Sequence, residues 1–300
     1  MSHLENLVKE LSDLKVPVDY WDVRIEDSFE TSIQIVDGEL VSCSSSPSLG
    51  AFVRVRKDGF WFYESTTDVG NLKAILVRLA SEKSRAKTAG VKYTAEKQPP
   101  YTSIRSRATK LSAVPLEAKA ALMSGYESFL RGQAKVASTN FRYKDVYKVK
   151  SFWGSVGTRF EFDFNQAGFV TTFTLKEDGK LFQDKLVHYA ASFDALKGQE
   201  PRIKATAAEA ARFLHAPSIE PGKYRVLLDP KVTGIFTHES FGHKSEADFM
   251  VGNDDALKEW SLGKKIGSDC LTIVDSGLHT DVSGYCPIDD DGTPAQKNYL

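Results

Sequence analysis

Three Asp-Gly pairs constrain this chain more than any other feature. Asp37-Gly38 lies inside "SIQIVDGELVSC", Asp58-Gly59 inside "AFVRVRKDGFWFYES", and Asp178-Gly179 between "FVTTFTL" and "KLFQDKLVHYAASF". Each pair separates two runs in which apolar and polar side chains alternate. Asp-Gly suits the two-residue hairpin turn, which needs positive φ at both central positions and matches the twist of the strands it joins. Antiparallel hairpins are therefore predicted in the early and middle parts of the chain. "RFEFDF" alternates strictly, and residues 134–193 read as mostly strand.

Helices are signalled by a different period. Ser2 and Glu5 form a capping-box pattern ahead of Leu4, Leu7, Val8, Leu11 and Leu14, so the chain opens on an amphipathic helix. Leu72, Ile75, Leu76 and Leu79 share one face of a second helix. Residues 116–130 look helical, and "RIKATAAEAARFLHA" is a helix by propensity. Residues 88–115 are polar and contain Pro99, Pro100 and Pro115, which marks a linker or surface crossing. "APSIEPG" reads as a loop and boundary. "YRVLLD" is a continuous apolar run and predicts a buried strand. Asp229 is a good N-cap and Pro230 suits the first helical position after it. "CLTIVDSG" reads as a later strand and "YCPIDDDGTPAQKNYL" as mainly loop. The fold class is α+β. Its expected divisions are an N-terminal α+β domain at 1–88, a linker at 89–115, a strand-rich region at 116–218, and a C-terminal domain starting at 219–300.

Composition excludes several classes. With 39 Lys and Arg against 40 Asp and Glu, the formal net charge is −1, so no global basic field for nucleic acid exists. The densest basic stretch, "SIRSRATK", reads as a solvated linker. The three cysteines, Cys43, Cys270 and Cys286, are odd in number and form no C-x-x-C, which disfavours a disulfide framework or zinc ribbon. A reducing, cytoplasmic location is expected. The first residues contain no long apolar run, so no signal peptide is expected. No stretch approaches about 18 uninterrupted apolar residues, so no membrane helix is expected. No G-x-S-x-G elbow or G-x-x-x-x-G-K-[ST] loop is present, disfavouring a serine hydrolase or a nucleotide-triphosphate site. "SSSPS", Ser44 to Ser48, resembles a flexible turn. His188 and His215 read as structural, His279 as exposed, and Asp289, Asp290 and Asp291 as a solvated turn.

The chemistry concentrates in "FTHESFGHKSEADF", which carries His238, Glu239 and His243 in the order H-E-x-x-x-H. An α-helix turns about 100° per residue, so residues five apart diverge by about 140°. A straight helix would put Glu239, His243 and Glu246 on one face and leave His238 as a core histidine. A one-residue π-bulge would bring both histidines to one point, and Gly242 weakens a regular helix there. Glu239 would then lie beside a bound ion, as in H-E-x-x-H with one residue inserted. Neutral imidazoles suit Zn²⁺, which normally takes three protein ligands at a catalytic site. Glu246, Asp248, Cys270 and Cys286 are local candidates for the third. Spacing alone leaves the straight-helix and bulged-helix readings both open.

"HESFGHKSEAD" resembles the H-E-x-x-G-H-x-x-E-x-D signature of the TldD/PmbA family of metallopeptidases, matching at His238, Glu239, Gly242, His243, Glu246 and Asp248. The resemblance covers nearly the whole chain. Residues from "YWDVRIEDSF" to "FWFYESTTD" resemble the family's N-terminal domain. "APSIEPGKYRVLLDPKVTGIFTHE" resembles the entry to its catalytic domain, and "LTIVDSGLHTDVSGYCPIDDDGTPAQKNYL" its "DDEGTP" segment. The resemblance implies a mostly β catalytic domain carrying the metal-binding helix. It implies a zinc-dependent peptidase that hydrolyses peptides or unfolded protein segments through a metal-activated water. His238 and His243 would be ligands and Glu239 the general base. A homodimer, or a heterodimer with a related subunit, would enclose the site. Ser240 stands where alanine is commoner. Family members continue beyond the "GTP" segment and place a cysteine ligand there, and neither Cys270 nor Cys286 matches its motif. Residues 219–300 are thus expected to be an incomplete catalytic domain that binds zinc weakly alone. The rival reading is a non-catalytic binding or regulatory subunit with an incomplete metal site.

Overall fold

The Asp-Gly pairs are where the chain reverses. Asp37, Asp58 and Asp178 have φ of 50°, 53° and 48°, followed by Gly38, Gly59 and Gly179 at 88°, 82° and 77°. Two successive positive φ values give the mirror-image turn that hairpins favour. The computed structural model describes residues 10–11, 14–83, 93, 97–103, 111–279 and 284–300. The expected opening helix and the "SIRSRATK" stretch lie almost entirely outside the described residues, although Leu11 is fully buried.

The strands are β1 (Tyr20–Val36), β2 (Glu39–Lys57), β3 (Phe60–Thr66), β4 (Tyr101–Ser103), β5 (Val136–Gly154), β6 (Arg159–Glu177) and β7 (Lys180–Ala190). They form one seven-stranded sheet in the order β3-β2-β1-β5-β6-β4, with β7 also on β6. Among the described residues, only β4 runs parallel to its neighbour. The two strand-rich stretches on either side of residues 89–115 are joined by the β1–β5 ladder, from Asp22↔Gly154 to Val36↔Asn140. Ser44 to Ser48 is not a turn. It pairs with β1 from Ser44↔Ser32 to Ser48↔Ser28, so a full-length neighbour overrides its composition. β3 covers β2 only from Ala51 onward, so Pro47 sits on an exposed edge, where a missing N–H breaks no ladder.

Long strands let one face of the sheet hold two helical layers end to end. Side chains alternate along a strand, so the odd-numbered residues of β1 share that face. Trp21, Val23 and Ile25 pack with Val53 and Val55 against Leu72, Ile75, Leu76 and Leu79 of α1 (Leu72–Ser81). Further along, Ile33, Ile35, Phe141, Tyr143 and Phe169 pack against α2 (Leu116–Arg131) and α3 (Glu200–Phe213). Between the strands and α2 lies a buried polar knot. Lys119 Nζ is 2.7 Å from Asp145 Oδ2 and donates to Thr31 Oγ1 at 2.9 Å. The Tyr143 hydroxyl also donates to Asp145. Burial, then the adjoining Asp145 carboxylate, push the Tyr143 phenol well above its ordinary pKa.

The opposite face is covered by the late segment around "DDDGTP". Phe152, Phe160 and Phe162 pack with Tyr285 and Ile288. The acidic turn is tied down as well as solvated: Asp291 meets Arg54 at 2.5 Å, and Asp290 lies 3.8 Å from Arg24. Arg54 also bonds the fully buried Asp22 at 2.6 Å. Burial raises the Asp22 pKa, against the pull of Arg54. Asp289 Oδ1 accepts from the N–H groups of Asp291 and Thr293, both at 2.9 Å, closing the turn.

The chain divides into two compact units, Met1–Ala216 with Leu278–Ala295, and Pro217–Gly277 with Gln296–Leu300. The second unit holds α4 (Pro230–Thr237), α5 (Ala247–Met250), α6 (Asp254–Glu259) and one short ladder, β8 (Val274–Ser276) with β9 (Lys297–Tyr299). It is mainly helix and loop, not mostly β. "YRVLLD" is not a strand here. A strand needs a hydrogen-bonded neighbour, and none lies beside it among the described residues, where Leu227 is fully exposed. Cys270, expected to open the strand "CLTIVDSG", is exposed in a turn with Sγ 2.8 Å from Ser268 Oγ. Cys286 is in a loop, as expected.

Candidate metal centre

The site is built on the helix that starts at Pro230. Asp229 Oδ1 accepts from the Val232 N–H at 2.7 Å, capping a terminus whose first position is a proline without a donor. Helical bonding then changes register. His238–Gly242 is a π-helical turn, closed by the His243 N–H donating to the His238 carbonyl, and His243–Ser245 tightens into a 3₁₀ turn. The wide turn absorbs the extra residue between the histidines. Their ring centroids lie 4.4 Å apart at 70°. Three hydroxyls bond carbonyls one turn back: Thr237 to Thr233, Ser240 to Phe236 and Ser245 to Phe241, at 2.9, 2.6 and 2.9 Å. Such back-bonding favours bent helices. Gly242 keeps ordinary right-handed dihedrals, φ −54° and ψ −56°, so it is not a left-handed break.

Ligand atoms of His238, Glu239 and His243 lie within 4.8 Å of one another. Two neutral imidazoles with a carboxylate beside them suit a divalent metal of the zinc type, the imidazoles as ligands and the carboxylate near a bound water, so the residues present fit such an ion. His243 Nε2 is 3.8 Å from Glu239 Oε2, beyond a hydrogen bond. On the other edge of the ring, His243 Nδ1 is 2.7 Å from Glu246 Oε1. Glu246 thus meets the ring nitrogen that points away from Glu239. Sequence reasoning put Glu246 on the same face as His243 and treated it as a candidate third ligand, without foreseeing that it would meet Nδ1. Glu246 itself is extended, with φ −70° and ψ 127°. Among the described residues, Asp248 and Cys270 do not join the cluster, and Cys286 belongs to the first unit.

The opposite side of the π turn is apolar. Phe241 makes an edge contact with Trp260 at 4.9 Å. Both line a cavity of about 710 Å³ with Met250, Leu262, Ile266 and Tyr299. His188 and His215 are structural, as expected. Arg202 meets His188 Nδ1 at 2.8 Å, and His215 Nε2 is 2.7 Å from Glu177. His279 is exposed.

Residues 21–83 match the family model described as PmbA/TldA metallopeptidase domain 1, and residues 221–300 the PmbA/TldA metallopeptidase C-terminal domain. A relative in Methanocaldococcus jannaschii, the metalloprotease MJ0996, is 26% identical over 294 residues, covering 94% of this chain and 63% of its own. The metalloprotease slr0863 of Synechocystis is 28% identical over 288 residues, covering 94% of this chain and 62% of its own. The chain therefore spans under two thirds of the length of these relatives. A zinc metalloprotease TldD homolog of Saccharolobus solfataricus is 39% identical over 77 residues, 25% of this chain and 17% of its own. Among solved structures, a candidate modulator of a DNA gyrase from Thermotoga maritima superposes with a TM-score of 0.77 at 17% identity, over 99% of this chain and 67% of its own. TldE from Thermococcus kodakarensis superposes at 0.72 with 14% identity, over 100% of this chain and 67% of its own. These two likenesses concern the fold. Domain models of the PmbA/TldA metallopeptidases match in order over residues 21–83 and 221–300, so the chain is similar to the TldD/PmbA family of metallopeptidases in both stretches, and His238, Glu239, Gly242 and His243 of the signature lie on the bulged helix.

Proposed function

We propose that the chain is the metal-binding part of a zinc-dependent peptidase that cleaves peptides or unfolded protein segments. The observation that carries this reading is the π turn, which brings His238, Glu239 and His243 together despite the five-residue spacing. His238 and His243 hold the ion through imidazole nitrogens. Bound zinc supplies a Lewis acid that lowers the pKa of water to about 7. Glu239 does not ligate; its carboxylate takes the proton of the attacking water and returns it to the leaving amine. The exposure of all three side chains leaves room for an extended substrate. A second subunit, identical or related, completes the enclosure of the site, and the cytoplasm is the expected location. Residues 219–300 begin the domain that holds the metal.

Zinc content and cleavage test the reading together. His238→Ala and His243→Ala should each lower bound zinc sharply. Glu239→Gln should keep zinc and lose hydrolysis of an unstructured peptide. Undiminished zinc in both histidine variants refutes the ligand assignment, and parental cleavage by Glu239→Gln refutes the base. A second reading, a non-catalytic binding subunit, draws on the number of imidazole donors: the described cluster supplies two. Stoichiometric zinc without cleavage in the parent would favour it.

A further inference from the structure

We propose that Glu246 is a positioning residue: it holds the proton of His243 on Nδ1, so that Nε2 presents its lone pair to the metal. The proposal rests on the reading of His243 as a ligand and assigns the geometry behind that role. A neutral imidazole carries one proton and one lone pair, and the partner of one nitrogen decides the state of the other. Two carboxylates flank the ring of His243. Glu246 Oε1 is 2.7 Å from Nδ1, a hydrogen-bond distance, whereas Glu239 Oε2 is 3.8 Å from Nε2, which is not. A carboxylate accepts and does not donate, so the 2.7 Å contact requires the proton on Nδ1. In the neutral ring Nε2 is then left bare, on the side where Glu239 and the His238 ring converge.

The backbone explains how a residue three positions on reaches the ring. The helix narrows to a 3₁₀ turn at His243–Ser245 and stops, with the Glu246 N–H donating to the His243 carbonyl at 3.4 Å. Residues three apart share a helix face, so the Glu246 side chain lies beside the His243 ring, and its extended ψ of 127° turns the following chain away. Carboxylate-to-histidine contacts of this kind fix ring orientation and raise ligand basicity, and their loss costs about 10–100-fold in metal affinity. Serving Nδ1 in this way, Glu246 is not a ligand itself. The π turn thus aligns the ring with His238, and the residue three positions on gives it a proton acceptor.

The test has a readout that needs no metal. In zinc-free protein, the ¹⁵N and ¹H shifts of the His243 ring should report the Nδ1–H tautomer. Glu246→Ala should shift the ring toward Nε2–H and weaken Zn²⁺ binding, measured against a competing chelator, by about 10–100-fold. Glu246→Gln keeps an acceptor oxygen and should stay within a few-fold of the parent in both measurements. An unchanged tautomer and unchanged affinity in Glu246→Ala would overturn the proposal. So would loss of zinc from Glu246→Gln as complete as from Glu246→Ala, which would make the carboxylate a ligand. Failure of the underlying metal reading shows separately, as unchanged zinc in His238→Ala and His243→Ala, while the tautomer experiment still reports on Glu246.

Discussion

Single residues show how context sets the sign of a substitution. Gly292 has φ +82°, and a Cβ there would lie 3.1 Å from both Phe152 Cε1 and Thr158 Cγ2. Gly125 sits in mid-helix in α2 with nothing within 4 Å of such a Cβ. Gly292→Ala should therefore lose roughly 1–3 kcal/mol through backbone strain and crowding. Gly125→Ala should gain about 0.5–1 kcal/mol through helix propensity. Urea unfolding of the two variants checks this; the same sign for both would refute it. Lys119 and Asp145 follow another rule, because each is about 1% exposed. Lys119→Met leaves a buried carboxylate without its cation and should cost about 3–5 kcal/mol. Lys119→Met with Asp145→Leu removes both charges and should recover most of that loss. A double variant no more stable than the single one would show that the pair is not the source. Residue type and order singled out His238, Glu239 and His243 in the sequence but left their convergence open, and the structure brings the three side chains together. For Glu246 the sequence indicated only the shared face with His243, since which ring nitrogen it meets depends on side-chain rotamers.

At the scale of elements, turns and amphipathic helices were legible because their signals are local. Asp37-Gly38, Asp58-Gly59 and Asp178-Gly179 each form the expected turn, and Leu72, Ile75, Leu76 and Leu79 are all buried. The strand through Ser44 to Ser48 was not legible, because its stability comes from pairing with β1, not from β propensity. The bulged helix allows a direct test of length. Deleting Ser240 gives H-E-x-x-H, which a regular α-helix places on one face, so zinc binding should survive. Inserting alanine after Glu239 moves the histidines six apart and should abolish it. Zinc affinities in the opposite order would contradict the role of the π turn. Strand pairing also sets a pH dependence. Glu26 lies across from Lys150 and bonds Lys150 and Lys148 at 3.1 and 2.6 Å. Burial pushes its pKa up, but these bonds outweigh it, so the carboxyl lies below its ordinary 4.5. A lowered folded-state pKa stabilises above the unfolded value and is lost as pH falls through the folded one. Glu26→Gln should thus destabilise at pH 7 and lose that effect under acid. A difference that persists unchanged at low pH would refute the assignment.

Across the whole molecule, burial is uneven. The first unit holds every named apolar core, while the second exposes Ile219, Leu227, Val251 and Leu262, each at 83% or more. Segments with few buried contacts open at low free energy. Limited proteolysis should cut first within residues 217–277, and initial cuts inside β1, β5 or β6 would refute this. No helix is long and apolar enough to cross a membrane among the described residues. The α+β class was legible from local pattern, whereas the joining of β1 to β5 depends on residues far apart in sequence. The order in which the chain visits its two units has a practical result for anyone dividing it. It runs through the first unit to Ala216, the second to Gly277, the first again to Ala295, and then the second. No single cut separates them. A gene fragment ending at residue 216 would omit Tyr285, Ile288 and Asp291, uncovering Phe152, Phe160 and Phe162 and leaving Arg54 without one of its two carboxylates. Cloning boundaries for the sheet unit must therefore keep residues 278–295, either by retaining the intervening segment or by splicing a short linker in its place.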